Sequence, residues 1–404
     1  MAVFHLYSAL NLLWILCNSA CINFLQFCLW CLVRPFDKPL YRRLMGSIAQ
    51  SLWVDVTSTS FPETKLSVSG EFPSDPSKPV ILIANHQVDA DWWYIWQAAR
   101  YQKAAGNIKI VLKDQLKYLP IIGWGMRLFE FLFLRRRIDE DAEHIKKYMD
   151  GLIADKFPFW LVVFPEGTTI HDEYVTKSQN FAARENRPKM KRVLLPRITG
   201  MQIILDAVVE AKPDIYDLTL AFPSYSGEVP TFEMGYGRKV DTEVPSMKTL
   251  LAGKQPLGRV ALHSQRFHYE DVVKDIQGFL DARWKEKEER LSYFIEHQQF
   301  PEAKTSIEMD VSSSIGAVVR LWLGIISSCV LLPVVMMLFF PLYFIWVVYC
   351  FIYSVYDRNF CRCQLGDVLR LMLLLLCSDS ELILLHHLSQ PIAEKRSSCM
   401  TFDV

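Results

Sequence analysis

A histidine and two aspartates stand close together directly after an apolar stretch. The segment Asn85–Asp91, which reads Asn-His-Gln-Val-Asp-Ala-Asp, follows Pro79–Ala84, which is predicted as a buried strand. A histidine can take a proton from a hydroxyl near neutral pH, and a nearby carboxylate fixes its tautomer. A compact turn into a helix could bring His86 and Asp91 together. The alternative is an ordinary turn histidine with both aspartates as helix caps.

Two further segments follow predicted strands in the same way. Phe164–Thr168 reads Phe-Pro-Glu-Gly-Thr and follows Trp160–Phe164, at a strand's carboxyl end, where α/β proteins build their sites. Gly167 would let the backbone approach a ligand, and Glu166 could orient a hydroxyl or a backbone amide. Val193–Arg197 is an apolar stretch stopped by a proline. Taken alone, each segment fits a plain strand end better than a functional site.

Basic residues form another candidate site. Arginines 135, 136 and 137 follow the predicted strand Phe129–Leu134, and one of them could hold a phosphate through two parallel hydrogen bonds. A solvated charge run, or contact with lipid headgroups, explains the others. Lys113 and Lys117 raise the phosphate interpretation more weakly.

The elements that must position these residues alternate between strand and helix. The pattern predicts strands at Pro79–Ala84, Ile108–Leu112, Phe129–Leu134, Trp160–Phe164, Val193–Leu195, Leu218–Phe222 and Arg259–His263. It predicts helices at Trp92–Tyr101, at Glu140–Ala154 with Asp139 as its cap, and at about Glu270–His297. This alternation indicates an α/β domain with a mostly parallel sheet, flanked by N- and C-terminal membrane segments.

The two ends of the chain are apolar. Residues 1–33 precede the first charged side chain, Arg34, and are predicted as a retained membrane anchor, since a signal peptide would have a basic start. The basic residues that follow place the predicted catalytic domain, 34–300, on the cytosolic side. Residues 301–320 are predicted as a linker and 321–356 as a membrane hairpin or spans. In the tail, 357–404, residues 371–377 could belong to an interfacial helix.

Charge and cysteine content exclude several classes of protein. The 404 residues carry 44 basic and 44 acidic side chains, and this balance argues against a nucleic-acid partner. All ten cysteines lie before residue 32 or after residue 328, so the middle of the chain has no cysteine nucleophile and no disulfide. We find no metal-ligand spacing, and we predict no metal and no cofactor.

In this order and spacing, the segments resemble the motifs of the glycerolipid acyltransferase superfamily. The resemblance is best to lysophosphatidic acid acyltransferases of the larger eukaryotic subgroup that includes the lysocardiolipin acyltransferases. The family motifs are Asn-His-x4-Asp, an arginine after an apolar strand, Phe-Pro-Glu-Gly-Thr-Arg, and an apolar strand that ends in proline. The first motif is matched by Asn85, His86 and Asp91, and the second by Arg136. The third is matched by Phe164–Thr168, and the fourth by Val193–Pro196.

The resemblance implies a direct acyl transfer. His86 would deprotonate an acceptor hydroxyl, Asp91 would orient His86, and the oxygen would attack the thioester of acyl-CoA, a co-substrate. Substrate-binding roles are implied for Asn85, Arg136, Glu166, Gly167, Thr168 and Pro196. The implied acceptor is a lysophospholipid, with 1-acyl-glycerol-3-phosphate favoured. The expected location is the endoplasmic reticulum membrane, with mitochondrial membranes as the alternative.

One departure from the family pattern concerns the acceptor. Thr169 stands where most members have arginine. Arg136 or Arg197 could supply the missing contact, or the acceptor is another lysophospholipid such as lysocardiolipin. A CoA-independent transacylase, a membrane scaffold that keeps the fold without activity, and a transporter subunit are the competing interpretations.

Overall fold

The computed structural model of this chain describes residues 2–229, 246–253, 258–312 and 315–326. The predicted tail, and the predicted C-terminal membrane segment beyond residue 326, lie outside the described residues. Within the described ranges the helices are α1 (Ala2–Leu32), α2 (Lys38–Leu44), α3 (Ser51–Thr57), α4 (Asp91–Tyr101), α5 (Ile122–Leu128), α6 (Ile138–Ala154), α7 (Asp172–Arg184), α8 (Ile198–Ala207), α9 (Met247–Leu251), α10 (Tyr269–Val272), α11 (Ile276–His297) and α12 (Ile315–Ile326).

One eight-stranded sheet forms the centre of the described part. Its strands are β1 (Thr64–Gly70), β2 (Val80–Ala84), β3 (Ile108–Lys113), β4 (Leu132–Leu134), β5 (Trp160–Val163), β6 (Asp214–Ala221), β7 (Val260–Phe267) and β8 (Ile307–Val311), in the order β4-β3-β5-β2-β6-β7-β1-β8. The block from β4 to β6 is parallel throughout. Neighbouring β2 and β5 are buried along their whole length, as expected for central parallel strands. Their carboxyl ends lie side by side, which places the segments that follow them next to each other.

The α/β class is confirmed, but the prediction of a mostly parallel sheet is wrong, because the sheet is mixed. β7 is antiparallel to β6, and β8 is antiparallel to β1. β6 and β7 are consecutive along the chain, and antiparallel strands can pair without the crossover helix that parallel pairing requires. The sequence pattern showed both strands as apolar stretches but carried no signal for their relative direction.

Two predicted elements take a different form. Val193–Leu195, predicted as a strand, is a buried loop segment. Side chains satisfy its backbone in place of a neighbouring strand, since the N–H of Leu194 donates to Glu166 and that of Leu195 to Ser178. The predicted single helix up to His297 is two helices, α10 and α11. The side chain of Asp275 caps the second by accepting from the N–H of Gly278.

The segment predicted as a linker contributes to the sheet. Residues 301–305 form a 3₁₀ turn, and Ile307–Val311 is the edge strand β8. Met309 and Val311 are buried while Glu308 and Asp310 are exposed, which is the alternation of a strand with one solvated face. Smaller differences are that Phe129 precedes β4 and that Asp139 lies in the first turn of α6, after its N-cap Arg137.

The apolar helix α1 lies against the domain through its polar side chains. By length and composition, residues 6–32 are the one helical stretch in the described part that could cross a membrane. Asn11, Asn23 and Gln26 donate to backbone carbonyls of the domain at 2.6 to 3.1 Å. The large apolar side chains exposed on this helix are Leu6, Tyr7, Leu10, Leu13, Trp14, Phe24, Phe27 and Leu32. Such an exposed apolar surface favours contact with lipid.

A buried ion pair joins α11 to the sheet. Nζ of Lys287 lies 2.6 Å from Oδ1 of Asp217 in β6, and the side chains are 0% and 2% exposed. Lys287 also donates to the carbonyl oxygen of Leu218. Burial raises the pKa of Asp217 and lowers that of Lys287, while the attraction between the two charges opposes both shifts.

Removing one partner of this pair should destabilise the fold. Lys287→Met leaves the Asp217 carboxyl buried and unpaired, so we expect unfolding to require about 3–5 kcal/mol less. The control Lys177→Met removes an exposed pair with Glu173, and its free energy of unfolding should stay close to that of wild type. Urea unfolding of both variants in detergent checks this. If both variants lost the same small amount of unfolding free energy, the buried pair would not stabilise the position of α11.

Candidate active site

His86 and Asp91 meet between β2 and α4. Strand β2 ends at Ala84, α4 begins at Asp91, and the turn between them brings Nδ1 of His86 to 2.9 Å from Oδ2 of Asp91. The same oxygen accepts from the N–H of Val88 at 3.1 Å. The Asp91 side chain is fully buried, which raises the pKa of its carboxyl, while the contact with His86 lowers it. Because Nδ1 faces Asp91, Nε2 is the ring nitrogen that remains to accept a proton.

The segment after β5 wraps around His86. The ring of Phe164 stacks on the imidazole, with 4.3 Å between ring centroids. The backbone of His86 is held on both sides, because its N–H donates to Oε1 of Glu166 at 3.3 Å and its carbonyl accepts from the N–H of Ile170 at 3.0 Å. The first and third sequence motifs therefore form one site.

Glu166 lies in the interior and joins three parts of the chain. It accepts from the backbone N–H of His86, from the N–H of Leu194 at 3.2 Å and from Nε1 of Trp284 at 3.1 Å. Its side chain is buried, which raises the pKa of its carboxyl to about 8, although all three donors act in the opposite direction. This arrangement fixes the backbone around His86.

The other residues predicted to contact substrate fall into two groups, one buried and one partly exposed. Asn85 is fully buried and exchanges two hydrogen bonds with the backbone of Leu220 in β6, at 3.0 and 2.8 Å. Pro196 is also buried. Gly167 and Thr168 are partly exposed, and Gly167 has a φ of 76°, a backbone conformation that favours glycine. Asn85 and Pro196 thus lie where they shape the loops, and Gly167 and Thr168 lie where a ligand can reach.

The three consecutive arginines have separate environments. Arg135 and Arg137 both pair with Glu140, at 3.3 and 2.9 Å, on the surface of α6. Arg136 has a φ of 66°, and its guanidinium donates to the carbonyl oxygen of Gly167. The turn at Arg136 therefore directs this one arginine to the site.

Sequence reasoning missed the contribution of α11. Residues 187–197 form the loop that carries the fourth motif, and one face of α11 holds it. Arg187 pairs with Asp281 at 2.6 Å, and Glu288 accepts from two consecutive N–H groups of the loop at 3.0 and 2.7 Å. Trp284 lies between them on the same face and donates to Glu166. The spacing i, i+3 and i+7 was visible in the sequence, but nothing there showed which loop these side chains hold.

Glu166 should make the fold less stable as pH rises. The folded chain keeps the pKa of this carboxyl at about 8, compared with about 4.3 when unfolded. At a pH between these two pKa values the folded state retains a proton that the unfolded state releases. The stability that Glu166 contributes is therefore fully present below the unfolded pKa and is lost as pH rises through the folded pKa. Glu166→Gln should therefore gain thermal stability relative to wild type as pH rises. Parallel curves of melting temperature against pH would contradict this, and Glu173→Gln, an exposed control, should lack the trend.

The site combines a histidine and a buried carboxyl group at the carboxyl edge of an α/β sheet. In this arrangement the imidazole can take a proton from a hydroxyl, which is the chemistry of a group-transfer enzyme. A family model described as Acyltransferase matches residues 65–221, and one described as Acyltransferase C-terminus matches residues 249–322. The chain belongs to the glycerolipid acyltransferase family, which confirms the resemblance seen in the motifs.

Three relatives show the extent of the similarity. An uncharacterized acyltransferase of Schizosaccharomyces pombe is 30% identical over 62% of this chain and 70% of its own length. Probable 1-acyl-sn-glycerol-3-phosphate acyltransferase 5 of Arabidopsis thaliana is 30% identical over 61% of this chain and 62% of its own. Lysocardiolipin acyltransferase 1 of Mus musculus is 30% identical over 55% of this chain and 56% of its own. The chain thus aligns with little more than half of the mouse protein.

Proposed function

We propose that this chain transfers a fatty acyl group from acyl-CoA to the free hydroxyl of a lysophospholipid, with 1-acyl-glycerol-3-phosphate as acceptor and phosphatidic acid as product. The observation that carries the proposal is the contact between His86 and the buried Asp91, which leaves Nε2 to act as a base. The family assignment and the names of the Arabidopsis and mouse relatives support it.

In the proposed reaction, Nε2 of His86 accepts the proton of the acceptor hydroxyl while Asp91 stabilises the resulting imidazolium. The acceptor oxygen attacks the thioester carbonyl, the carbon–sulfur bond breaks, and CoA leaves as a thiolate that the His86 proton can neutralise. The segment from residue 32 to 328 contains no cysteine, so a thioester-linked enzyme intermediate has no nucleophile there. Acyl-CoA is a substrate of this reaction, and no metal or cofactor takes part in it.

The proposed location is a membrane surface. The exposed apolar side chains of α1 would contact lipid, and the basic residues after it favour a cytosolic orientation of the catalytic domain. The membrane we propose is that of the endoplasmic reticulum. A mitochondrial membrane is the alternative, which cell fractionation distinguishes.

Lysocardiolipin is the second candidate acceptor. Thr169 replaces the arginine of the family's third motif, and the mouse relative is named for lysocardiolipin. The free hydroxyl of lysocardiolipin would meet His86 in the same way, so the two candidate acceptors differ in the head group and not in the reacting hydroxyl.

The test supplies membranes that contain the chain with labelled oleoyl-CoA and a panel of lysophospholipids. We expect acyl-CoA-dependent formation of phosphatidic acid. Stronger labelling of cardiolipin than of phosphatidic acid would identify the second acceptor, and transfer from a labelled phospholipid without acyl-CoA would identify a transacylase. No transfer to any acceptor by folded protein would favour the scaffold interpretation.

A further inference from the structure

A short helix, α9, lies between the turn that carries His86 and the apolar helix α1. At the first residue of α9, the N–H of Met247 donates to Oδ1 of Asp89 at 3.0 Å. At its last residue, the carbonyl oxygen of Leu251 accepts from Nδ2 of Asn11 at 3.0 Å. Asp89 belongs to the same turn as His86, so α9 connects α1 with the reacting end of the domain.

The two ends of α9 use backbone groups that a helix cannot satisfy by itself, since its first N–H groups and last carbonyl oxygens lack partners within it. The first turn is closed by Ser246 and Thr249, whose side-chain oxygens accept from each other's N–H groups at 3.2 and 2.7 Å. Leu250 and Leu251 are buried in the core. A helix of this kind is about 7 Å long, and it should move as one piece.

Asn11 is a polar residue in an apolar stretch of α1. An unpaired amide beside lipid would be costly, and Asn11 avoids this cost by donating to the domain twice. Besides its bond to α9, Nδ2 donates to the carbonyl oxygen of Ser60 at 2.6 Å. One turn earlier, Tyr7 lies against Gly253, where an added Cβ atom would be 2.9 Å from the Tyr7 side chain. Two successive turns of α1 therefore contact the C-terminal end of α9 and the residues after it.

We propose that Asn11 is a positioning residue for His86 and acts through α9 and Asp89. The apolar helix α1 then does more than hold the chain at a lipid surface, because its position sets that of the turn in which His86 and Asp91 meet. Small displacements of a reacting group lower rates strongly, since catalysis depends on near-ideal geometry. The inference rests on the proposed function, in which His86 is the base.

A double-mutant cycle on kcat tests whether Asn11 acts through Asp89. Asn11→Leu and Asp89→Ala each break one end of the connection, and each should lower kcat about three- to tenfold, as expected for the loss of a hydrogen bond. KM should change little, because neither side chain holds a substrate in the proposed reaction. The double variant should be no slower than the slower single variant, since a connection broken at one end has no further effect at the other.

Asn23→Leu is the matched control for Asn11→Leu. Asn23 also lies on α1 and donates to a backbone carbonyl, but that of Ile121, at 2.7 Å and outside α9. Any loss of rate in Asn23→Leu should multiply with that of Asp89→Ala. Asp89→Asn, which keeps an acceptor for Met247, should restore the rate that Asp89→Ala loses. If the losses of Asn11→Leu and Asp89→Ala multiply as those of the control pair do, the proposal is overturned.

Hydrogen exchange separates this inference from the proposed function. The full-length chain in detergent is exchanged in D₂O and digested, and exchange is followed in peptides that cover residues 85–91. The N–H groups of His86 and Val88 are hydrogen-bonded in this turn, so their exchange reports whether the turn is in place. Asn11→Leu should speed exchange there about three- to tenfold, and Asn23→Leu should leave it as in wild type.

Asn11→Ser takes the place of Asn11→Leu if the leucine variant does not fold. A serine is too short to reach Leu251, and its hydroxyl can bond within α1. Faster exchange at the turn of His86 in a chain without transfer activity would contradict the proposed function and leave the coupling through α9 standing. Exchange equal to that of wild type in the folded Asn11 variant would overturn the coupling.

Discussion

Replacing His86 with alanine should reduce acyl transfer by about 10²- to 10⁴-fold, the contribution expected of a general base. The variant keeps the backbone contacts of His86 with Glu166 and Ile170, so the loop should stay in place and the fold should persist. KM values should change far less than kcat, because the imidazole acts on the proton and does not hold either substrate in the proposed reaction.

The control for this substitution is His144→Ala. His144 is an exposed histidine on α6 and should be replaceable without loss of transfer. Initial rates at saturating acyl-CoA and acceptor, with melting temperatures for both variants, give the comparison. If His86→Ala retained wild-type activity, the base would have to be another group, and the proposed mechanism would be wrong.

Replacing Asp91 with asparagine should cost about as much, on the order of 10²- to 10⁴-fold in kcat. Oδ2 of Asp91 contacts both Nδ1 of His86 and the N–H of Val88. An amide NH₂ in its place would lose the Val88 bond and favour the tautomer that carries its proton on Nε2, which cannot accept the proton of the hydroxyl. An amide oxygen in its place would keep both contacts but would lack the negative charge that stabilises the imidazolium. Either placement weakens the base while leaving the shape of the site nearly intact.

Asp89 provides the matched control within the same segment. Its Oδ1 accepts from the N–H of Met247 at 3.0 Å, and the carbonyl oxygen of asparagine can preserve that bond. Asp89→Asn should therefore keep most of the activity. Equal losses in the two variants would mean that the segment tolerates no change of charge, and Asp91 would have no special role in orienting His86.

The parts of the site that the sequence predicted are local. His86 and Asp91 are five residues apart, so a single turn decides whether they meet, and the apolar runs before them and before Phe164 are long enough to identify β2 and β5. The shared edge of the sheet followed from the parallel βαβ pattern. For these reasons the pairing of the first and third motifs was predictable.

The parts that were not predicted depend on contacts between distant residues. Val193–Leu195 has the composition of a strand, but Glu166 and Ser178 satisfy its backbone, and neither partner can be inferred from that stretch alone. Trp284 reaches Glu166 across more than a hundred residues of chain. The side chain of Arg197 lies against Gly167, and this contact depends likewise on how the loop before α8 folds back.

Helix α11 gives the C-terminal part of the family match a physical role. It contacts the loop that carries the fourth motif through Asp281 and Glu288, the third motif through Trp284, and the sheet through Lys287. Buried, hydrogen-bonded side chains of this kind limit how far the catalytic loops can move. The region matched as Acyltransferase C-terminus is therefore part of the support for His86.

The measurement that tests the central claim most directly is a single turnover with labelled oleoyl-CoA, with and without acceptor. Direct transfer promoted by His86 predicts that CoA is released only when the lysophospholipid is present, in amounts equal to the phospholipid formed. His86→Ala should release almost none. A burst of CoA without acceptor, with label retained on the protein, would instead show a covalent acyl-enzyme and contradict direct attack by the hydroxyl.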